Sequence, residues 1–331
     1  MLYERRMQGM SEKQTADAIW DMVIVGGGPA GYTAGLYAAR ANLKVKLIKG
    51  ISTVSQITTT DLLENYPGIL GGIGGFELVE IIRDKAESFG LSVADADCTA
   101  LLAEERDGQR YWVVQAGEQS FRTLSVIMAT GAHWRKLAVP GEELYTGRGV
   151  SYCATCDGPF FRNRDVIVVG GGDTAVQEAL FLTKFASKVT LVHRRDRLRA
   201  TAILQKRALA HEKISFVWNT LVEEISGAEA VTNVRLRDVR DENKSWEIPA
   251  AGVFVFIGLN PNSDLVKGHV ALGDDDAILV DPQMRTSAKG IFACGDCTQK
   301  LLRQVVTACG DGATAAFSAQ LYIEELKGVA Y

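Results

Sequence analysis

At 331 residues, with 47 % hydrophobic side chains and 33 glycines, the chain is long enough for about two packed domains with many tight turns. A net charge of −4 gives no electrostatic reason to expect nucleic acid or an anionic membrane surface as partner. No apolar run reaches the ~18 residues of a membrane span, and six cysteines are no disulfide framework at this length, so a reducing cytoplasm is expected.

Residues 1–20 mix Glu4, Arg5, Arg6, Glu12, Lys13 and Asp17 without an apolar core. They read as a flexible N-terminal extension rather than a secretory signal, with Met7 or Met10 as alternative starts. Asp21-Met22-Val23-Ile24-Val25 is a buried-strand pattern. The turn Gly26-Gly27-Gly28-Pro29-Ala30-Gly31 follows, then a helical stretch to about Asn42 and a second strand over Val45–Ile48. This is a βαβ unit with a GxGxxG fingerprint. Gly26 permits the tight turn, Gly28 lets backbone approach a pyrophosphate, and Gly31 lets helix and strand pack closely. The helix N-terminus then faces the anion with free N–H groups. The ribose-binding acid expected about 20 residues on is Lys49 here.

Ser92–Val114 and Arg122–Ala129 read as antiparallel strands and a return strand. Next comes Cys153-Ala154-Thr155-Cys156-Asp157, and then a second βαβ unit: strand Asp165–Val169, turn Gly170-Gly171-Gly172-Asp173-Thr174-Ala175, helix Val176–Ala186, strand Val189–Val192. The repeat implies two dinucleotide-binding domains. The second strand ends in His193-Arg194-Arg195-Asp196-Arg197-Leu198-Arg199 with no ribose-binding acid. Guanidinium groups pair bidentately with phosphate, so this end predicts a 2′-phosphate and NADPH over NADH. A solvated basic face is the plain alternative. Further on, Val234–Arg237 and Trp246–Ile248 read as a meander joined by a charged turn at Asp241-Glu242-Asn243-Lys244. Val253–Ile257 is a buried strand, and a last helix is expected over Asp311–Leu326.

Two cysteines at CxxC spacing close a very short loop that is readily reduced, and Asp157 stands where an exchange proton must move. A structural zinc site would need a second pair. The only other CxxC is Cys294-Gly295-Asp296-Cys297. An inert buried pair is the remaining alternative. The redox reading is favoured, with no metal.

These motifs, with Glu64-Asn65-Tyr66-Pro67-Gly68, Ala129-Thr130-Gly131, Gly258–Asn262, Gly295-Asp296 and Arg303-Gln304, resemble the low-molecular-weight thioredoxin reductases over residues 21–326. The resemblance implies an α/β fold of two Rossmann-like FAD/NAD(P)-binding domains with three-layer ββα architecture. The NADPH domain, 135–257, is then inserted into an FAD domain of 21–134 plus 258–331. It also implies that FAD meets Gly26, Gly28, Pro29, Ala30, Gly31, Gln56, Asn65, Ala129, Thr130, Gly131, Gly295, Asp296, Arg303 and Gln304. NADPH would meet Gly170, Gly172, Asp173, Thr174, Ala175, His193, Arg194, Arg195 and Arg199. Cys294 and Cys297 would then merely flank an FAD contact.

The implied reaction runs from NADPH through FAD to the Cys153–Cys156 disulfide and on to oxidised thioredoxin. In it Cys156 faces the flavin, Cys153 attacks the partner and Asp157 moves the proton. The resemblance further implies a homodimer and hinges near His133–Lys136 and Ile257–Asn260. The sequence departs from the family at Lys49 and at Thr53-Val54-Ser55, where a Gly-Gly commonly precedes Gln56. A ferredoxin- or flavodoxin-linked reductase, or a dithiol oxidase, is the rival on this scaffold. A nucleotide-binding sensor is the non-enzymatic one.

Overall fold

A computed structural model describes residues 19–60, 63 and 65–329. The expected extension over residues 1–20 lies almost wholly outside the described residues, as does Glu64. The chain divides into two compact units: unit 1 is Met1–His133 with Asn260–Tyr331, and unit 2 is Trp134–Leu259.

Elements are numbered in chain order. Unit 1 opens with β1 (Trp20–Val25), α1 (Pro29–Arg40) and β2 (Val45–Lys49). Then come α2 (Gly75–Glu87), β3 (Ser92–Asp95), β4 (Cys98–Arg106), β5 (Gln109–Ala116) and β6 (Gln119–Met128). The sheet order is β3-β2-β1-β6-β5-β4. The early part of β6 pairs antiparallel with β5, while Val126–Met128 pair in parallel with β17 (Ile291–Ala293). The alternation of side chains along β1 builds two cores. Met22 and Ile24 pack with α1 and the C-terminal helix, and Val23 and Val25 pack against the meander of β4 and β5. Helices on one face and a meander on the other leave the strands buried on both sides, which is why they read as continuous apolar runs.

Unit 2 repeats this plan. It contains β8 (Val150–Ser151), α3 (Ala154–Asp157), β9 (Asp165–Gly170), α4 (Asp173–Leu182), β10 (Lys188–Val192), α5 (Ala202–Leu209) and β11 (Ile214–Val217). The meander β12 (Thr220–Gly227), β13 (Val231–Asp238) and β14 (Asp241–Pro249) follows, then β15 (Gly252–Phe256). The parallel sheet has the order β11-β10-β9-β15-β8. Val166 and Val168 of β9 face the helices, and Ile167 and Val169 face the meander. Two short strands, β7 (Ala132–Trp134) and β16 (Leu259–Pro261), carry the two chain crossings and pair as a ribbon.

Four sequence expectations need correction. Ser92–Asp95, expected among the antiparallel strands, pairs in parallel with β2, and only β4 and β5 of that stretch are antiparallel to each other. The helix after the second glycine turn starts at Asp173 and stops at Leu182, not Ala186, because the fingerprint residues themselves form its first turn. The meander turn is Val239-Arg240, and Asp241–Lys244 belong to β14. Asp238 makes that turn tight by accepting from the Arg240 backbone N–H (2.9 Å), Nε (3.0 Å) and Nη2 (2.9 Å). The last helix, α6, is Val305–Lys327 and starts six residues ahead of Asp311. Gln304 caps it through a reciprocal capping box with Thr307, and Gly310 and Gly312 are carried inside it.

Candidate active site

Unit 1 forms a nucleotide cradle around the first glycine turn. Gly26 sits at φ +116°, and a Cβ there would overlap the Ala129 carbonyl oxygen. A Cβ on Gly31 would overlap the Gly26 carbonyl oxygen, so only glycine lets α1 approach β1 this closely. Pro29 occupies the first turn of α1, where no N–H is needed. Around this turn, Thr130 Oγ1 donates to the Asn262 carbonyl (2.5 Å) and Asn262 Nδ2 donates back to the Thr130 carbonyl (2.9 Å). Gln56 Nε2 donates to the Ala132 carbonyl, and Asn65 Nδ2 to Gln304 Oε1 at 2.9 Å. Ser55, one of the departures, places its Oγ 3.3 Å from where a Gly28 Cβ would stand. The stem of Lys49 lies over Gly27, and its ammonium pairs with Asp95 at 3.4 Å. An outward-turned cation therefore replaces the expected acid.

Gly295 and Asp296 close the cradle. Gly295, at φ +74°, faces Ala30 so closely that its Cβ would stand 2.9 Å from the Ala30 Cβ. Its N–H donates to Asp311 Oδ2 (3.1 Å), and Asp311 is paired with Lys300. Asp296 Oδ1 is buried with no hydrogen-bond partner among the described residues. Burial pushes the Asp296 carboxyl pKa up, against the opposing pull of Lys300 and Arg303. A buried carboxylate oxygen without a donor fits a ligand rich in hydroxyl groups, such as the ribityl chain of FAD. Arg303 donates from Nε to the Asp296 carbonyl (3.3 Å).

The second cradle lies in unit 2. Gly170, at φ +148°, has no room for a Cβ beneath the Phe256 carbonyl oxygen and Ala175. Gly172 caps α4 with Asp173, Thr174 and Ala175 in its first turn, and nothing would obstruct a Cβ at Gly172. The His193 ring packs on Gly171, and its Nε2 is buried with no hydrogen-bond partner among the described residues. Burial, then Arg199, Arg195 and Arg194, hold the imidazole pKa below its ordinary value. Arg194, Arg195 and Arg199 are exposed and form no ion pair among the described residues. Open space over a helix N-terminus beside unpaired guanidinium groups fits a dinucleotide carrying an extra phosphate.

Cys153 and Cys156 are joined in a disulfide, with Cα atoms 5.4 Å apart. Cys153 is the N-cap of α3, and its Sγ accepts the Cys156 backbone N–H at 3.1 Å. Ser151 Oγ accepts the Cys153 N–H (3.0 Å), fixing the approach to the turn. Cys156 is exposed and Asp157 half-buried. The second CxxC is of another kind. Cys294 packs in the helix-side core and Cys297 in the meander-side core, both fully buried thiols with pKa raised by burial. Both are free thiols, unlike Cys153 and Cys156.

Four contributors lay outside the expected site residues. Asp311 and Lys300 pin Gly295, and Asn262 pins Thr130. Glu142, only 1 % exposed, accepts from the Leu137 and Ala138 N–H groups and the Tyr152 hydroxyl, each at 2.7 Å. Its burial inside a polar Pro-Gly-Glu-Glu turn leaves no signature in sequence.

Two dinucleotide cradles and a closed CxxC in the second define a flavin- and pyridine-nucleotide-type disulfide oxidoreductase. The family described as pyridine nucleotide-disulphide oxidoreductase matches residues 20–312. The thioredoxin reductase of Listeria innocua is 47 % identical, covering 94 % of this chain and 96 % of the relative; that of Bacillus subtilis is 46 % identical, covering 96 % and 98 %. Among solved structures, Lactococcus lactis thioredoxin reductase matches with a TM-score of 0.88 at 43 % identity, covering 92 % of this chain and 99 % of that one. The T. acidophilum enzyme matches with a TM-score of 0.84 at 30 % identity, covering 93 % and 99 %. The chain belongs to the pyridine nucleotide-disulphide oxidoreductases, in the branch of the thioredoxin reductases.

Proposed function

We propose that the chain is an NADPH-dependent thioredoxin-disulfide reductase that acts in the cytoplasm as a homodimer. The observation that carries this reading is the Cys153–Cys156 disulfide, capping a helix in the unit that also holds the arginine-lined cradle. FAD, when bound, supplies the two-electron step between a pyridine nucleotide and a disulfide. Unit 1 would hold it on Gly26, Gly28 and the first turn of α1, with Asp296 accepting from its hydroxyl groups and Arg303, Gln304, Gln56 and Asn65 beside it. Unit 2 would hold NADPH on Gly170, Gly172 and α4, with Arg194, Arg195 and Arg199 on the 2′-phosphate.

The dithiol chemistry follows from the turn. In the reduced pair, the Cys156 N–H bonded to Cys153 Sγ favours a thiolate on Cys153. That thiolate attacks one sulfur of the thioredoxin disulfide, forming a mixed disulfide and expelling a thioredoxin thiolate. Cys156 then attacks Cys153 Sγ, restoring the internal disulfide and releasing the second thioredoxin sulfur. Asp157 accepts the Cys156 proton and returns it to the departing thiolate. Phe160, 75 % exposed and four residues past Cys156, offers a protein partner apolar contact beside the dithiol. For the homodimer, the supporting feature is one exposed apolar stripe on α6: Val306, Phe317 and Leu321. Sedimentation equilibrium tests it, and a monomer at micromolar concentration would remove that part of the reading.

Replacing Cys153 or Cys156 with Ser tests the core of the proposal. NADPH oxidation driven by oxidised thioredoxin is expected to fall to background while FAD stays bound. Unchanged thioredoxin turnover in Cys153→Ser would refute the assigned role. Failure of NADPH, under anaerobic conditions, to remove the visible flavin absorbance of the unmodified protein would instead favour a ferredoxin- or flavodoxin-linked donor.

A further inference from the structure

Asp173 is the first residue of α4, directly behind the second glycine turn. A carboxylate in the first turn complements the helix dipole. Its Oδ1 is engaged elsewhere and accepts the backbone N–H of Thr201 at 2.5 Å. Thr201 closes the segment that runs from the end of β10 through the arginines to α5. The two preceding N–H groups, of Arg199 (2.7 Å) and Ala200 (3.2 Å), both donate to the Gly171 carbonyl. Three successive N–H groups of the arginine segment thus point at two residues of the glycine turn. Leu198 and Ala200 anchor the same segment by burial, at 6 % and 5 % exposure, while the neighbouring Arg197 and Arg199 are left exposed.

We propose that Asp173 is a positioning residue that fastens the arginine segment to the glycine turn and so sets discrimination for a 2′-phosphorylated nucleotide. The proposal rests on the NADPH reading above. In place of the dinucleotide contact that the resemblance implies for Asp173, it gives the carboxylate a backbone partner, the Thr201 N–H. Removing the carboxylate leaves both bonds to Gly171 and the buried Leu198 and Ala200 in place, so the unit stays folded. What is lost is the tie at Thr201, where the arginine segment passes into α5. The segment is then held to the glycine turn by two N–H groups instead of three, and a guanidinium on a looser segment forfeits part of the bidentate geometry that makes phosphate recognition strong.

The test is calorimetric binding of 2′,5′-ADP and of 5′-ADP to the FAD-loaded protein, without turnover. Asp173→Ala is expected to weaken 2′,5′-ADP by about tenfold, the equivalent of one well-made hydrogen bond to a charged group, and to leave 5′-ADP within about twofold. Asp173→Asn, which keeps the acceptor oxygen, is expected to retain most of the 2′,5′-ADP affinity. Equal weakening of both nucleotides in Asp173→Ala overturns the proposal, since the residue would then act on the shared adenosine diphosphate portion. No change in either overturns it as well, and so does a loss in Asp173→Asn as large as in Asp173→Ala. If the unsubstituted protein itself fails to prefer 2′,5′-ADP, the NADPH reading falls first and takes this inference with it.

Discussion

His193 is a buried imidazole near Arg194, Arg195 and Arg199, with no hydrogen-bond partner for its Nε2 among the described residues. Burial and the neighbouring charges both disfavour the imidazolium, so its pKa is lower in the folded than in the unfolded chain. In the unfolded chain the value is about 6.5. Between the two values the unfolded state binds more protons, and stability therefore falls as pH drops through that window. Melting temperatures measured from about pH 7.5 down to about pH 5.5 should fall by a few degrees more in the unsubstituted protein than in His193→Gln. Identical slopes would mean that His193 contributes nothing to the pH dependence. Asp296 presents the opposite case at this scale, an acid raised by burial and left short of donors. Its place after Gly295 was legible in sequence. Its unmet hydrogen-bonding capacity was not, because burial arises only when β17 and α6 close over it.

At the scale of elements, α6 sets two effects against each other. Glycine inside a helix is destabilising by about 1 kcal/mol relative to alanine, so Gly312→Ala should stabilise by that amount on propensity alone. A Cβ at Gly312, however, would overlap the Ala30 carbonyl oxygen in the first turn of α1. Overpacking of this kind costs about 1–3 kcal/mol and strikes the turn proposed to hold FAD. The contact should win: Gly312→Ala is expected to lower stability by about 1–2 kcal/mol and to weaken FAD retention. Denaturant melts with and without added FAD read both, and a stabilised variant would show that α6 yields freely. The same glycines lie inside α6, which begins at Val305 and not at the expected Asp311. Gly310 and Gly312 look like a break, and Asp311 between them looks like a cap. In the fold Gly312 is a point of close approach, and Asp311 reaches from the helix side to Gly295. The βαβ units were legible because each glycine turn sits between a strand buried on both faces and a helix. The Val239-Arg240 turn was not, since Asp238 acts there through its own hydrogen bonds and not through a glycine.

At the scale of the whole molecule, unit 2 is an insertion: the chain leaves unit 1 after His133 and returns at Asn260. Gly131 and Gly258, at φ +67° and +128°, stand near the two crossings in conformations that other residues avoid. β17 and α6 return the end of the chain to unit 1. They follow the insertion in sequence, yet β17 completes the sheet of unit 1 beside β6, and α6 packs in the core with Met22 and Ile24. A protease that cuts once at Arg135 or Lys136 therefore separates the covalent chain without separating either unit. The downstream fragment remains sewn into unit 1 by backbone pairing and by an apolar core. Trypsin-nicked protein should run as two fragments under denaturing conditions, elute at its native size otherwise, and keep its flavin. Release of the flavin on that single cut would show that unit 1 depends on an unbroken chain and not on the strand it receives back.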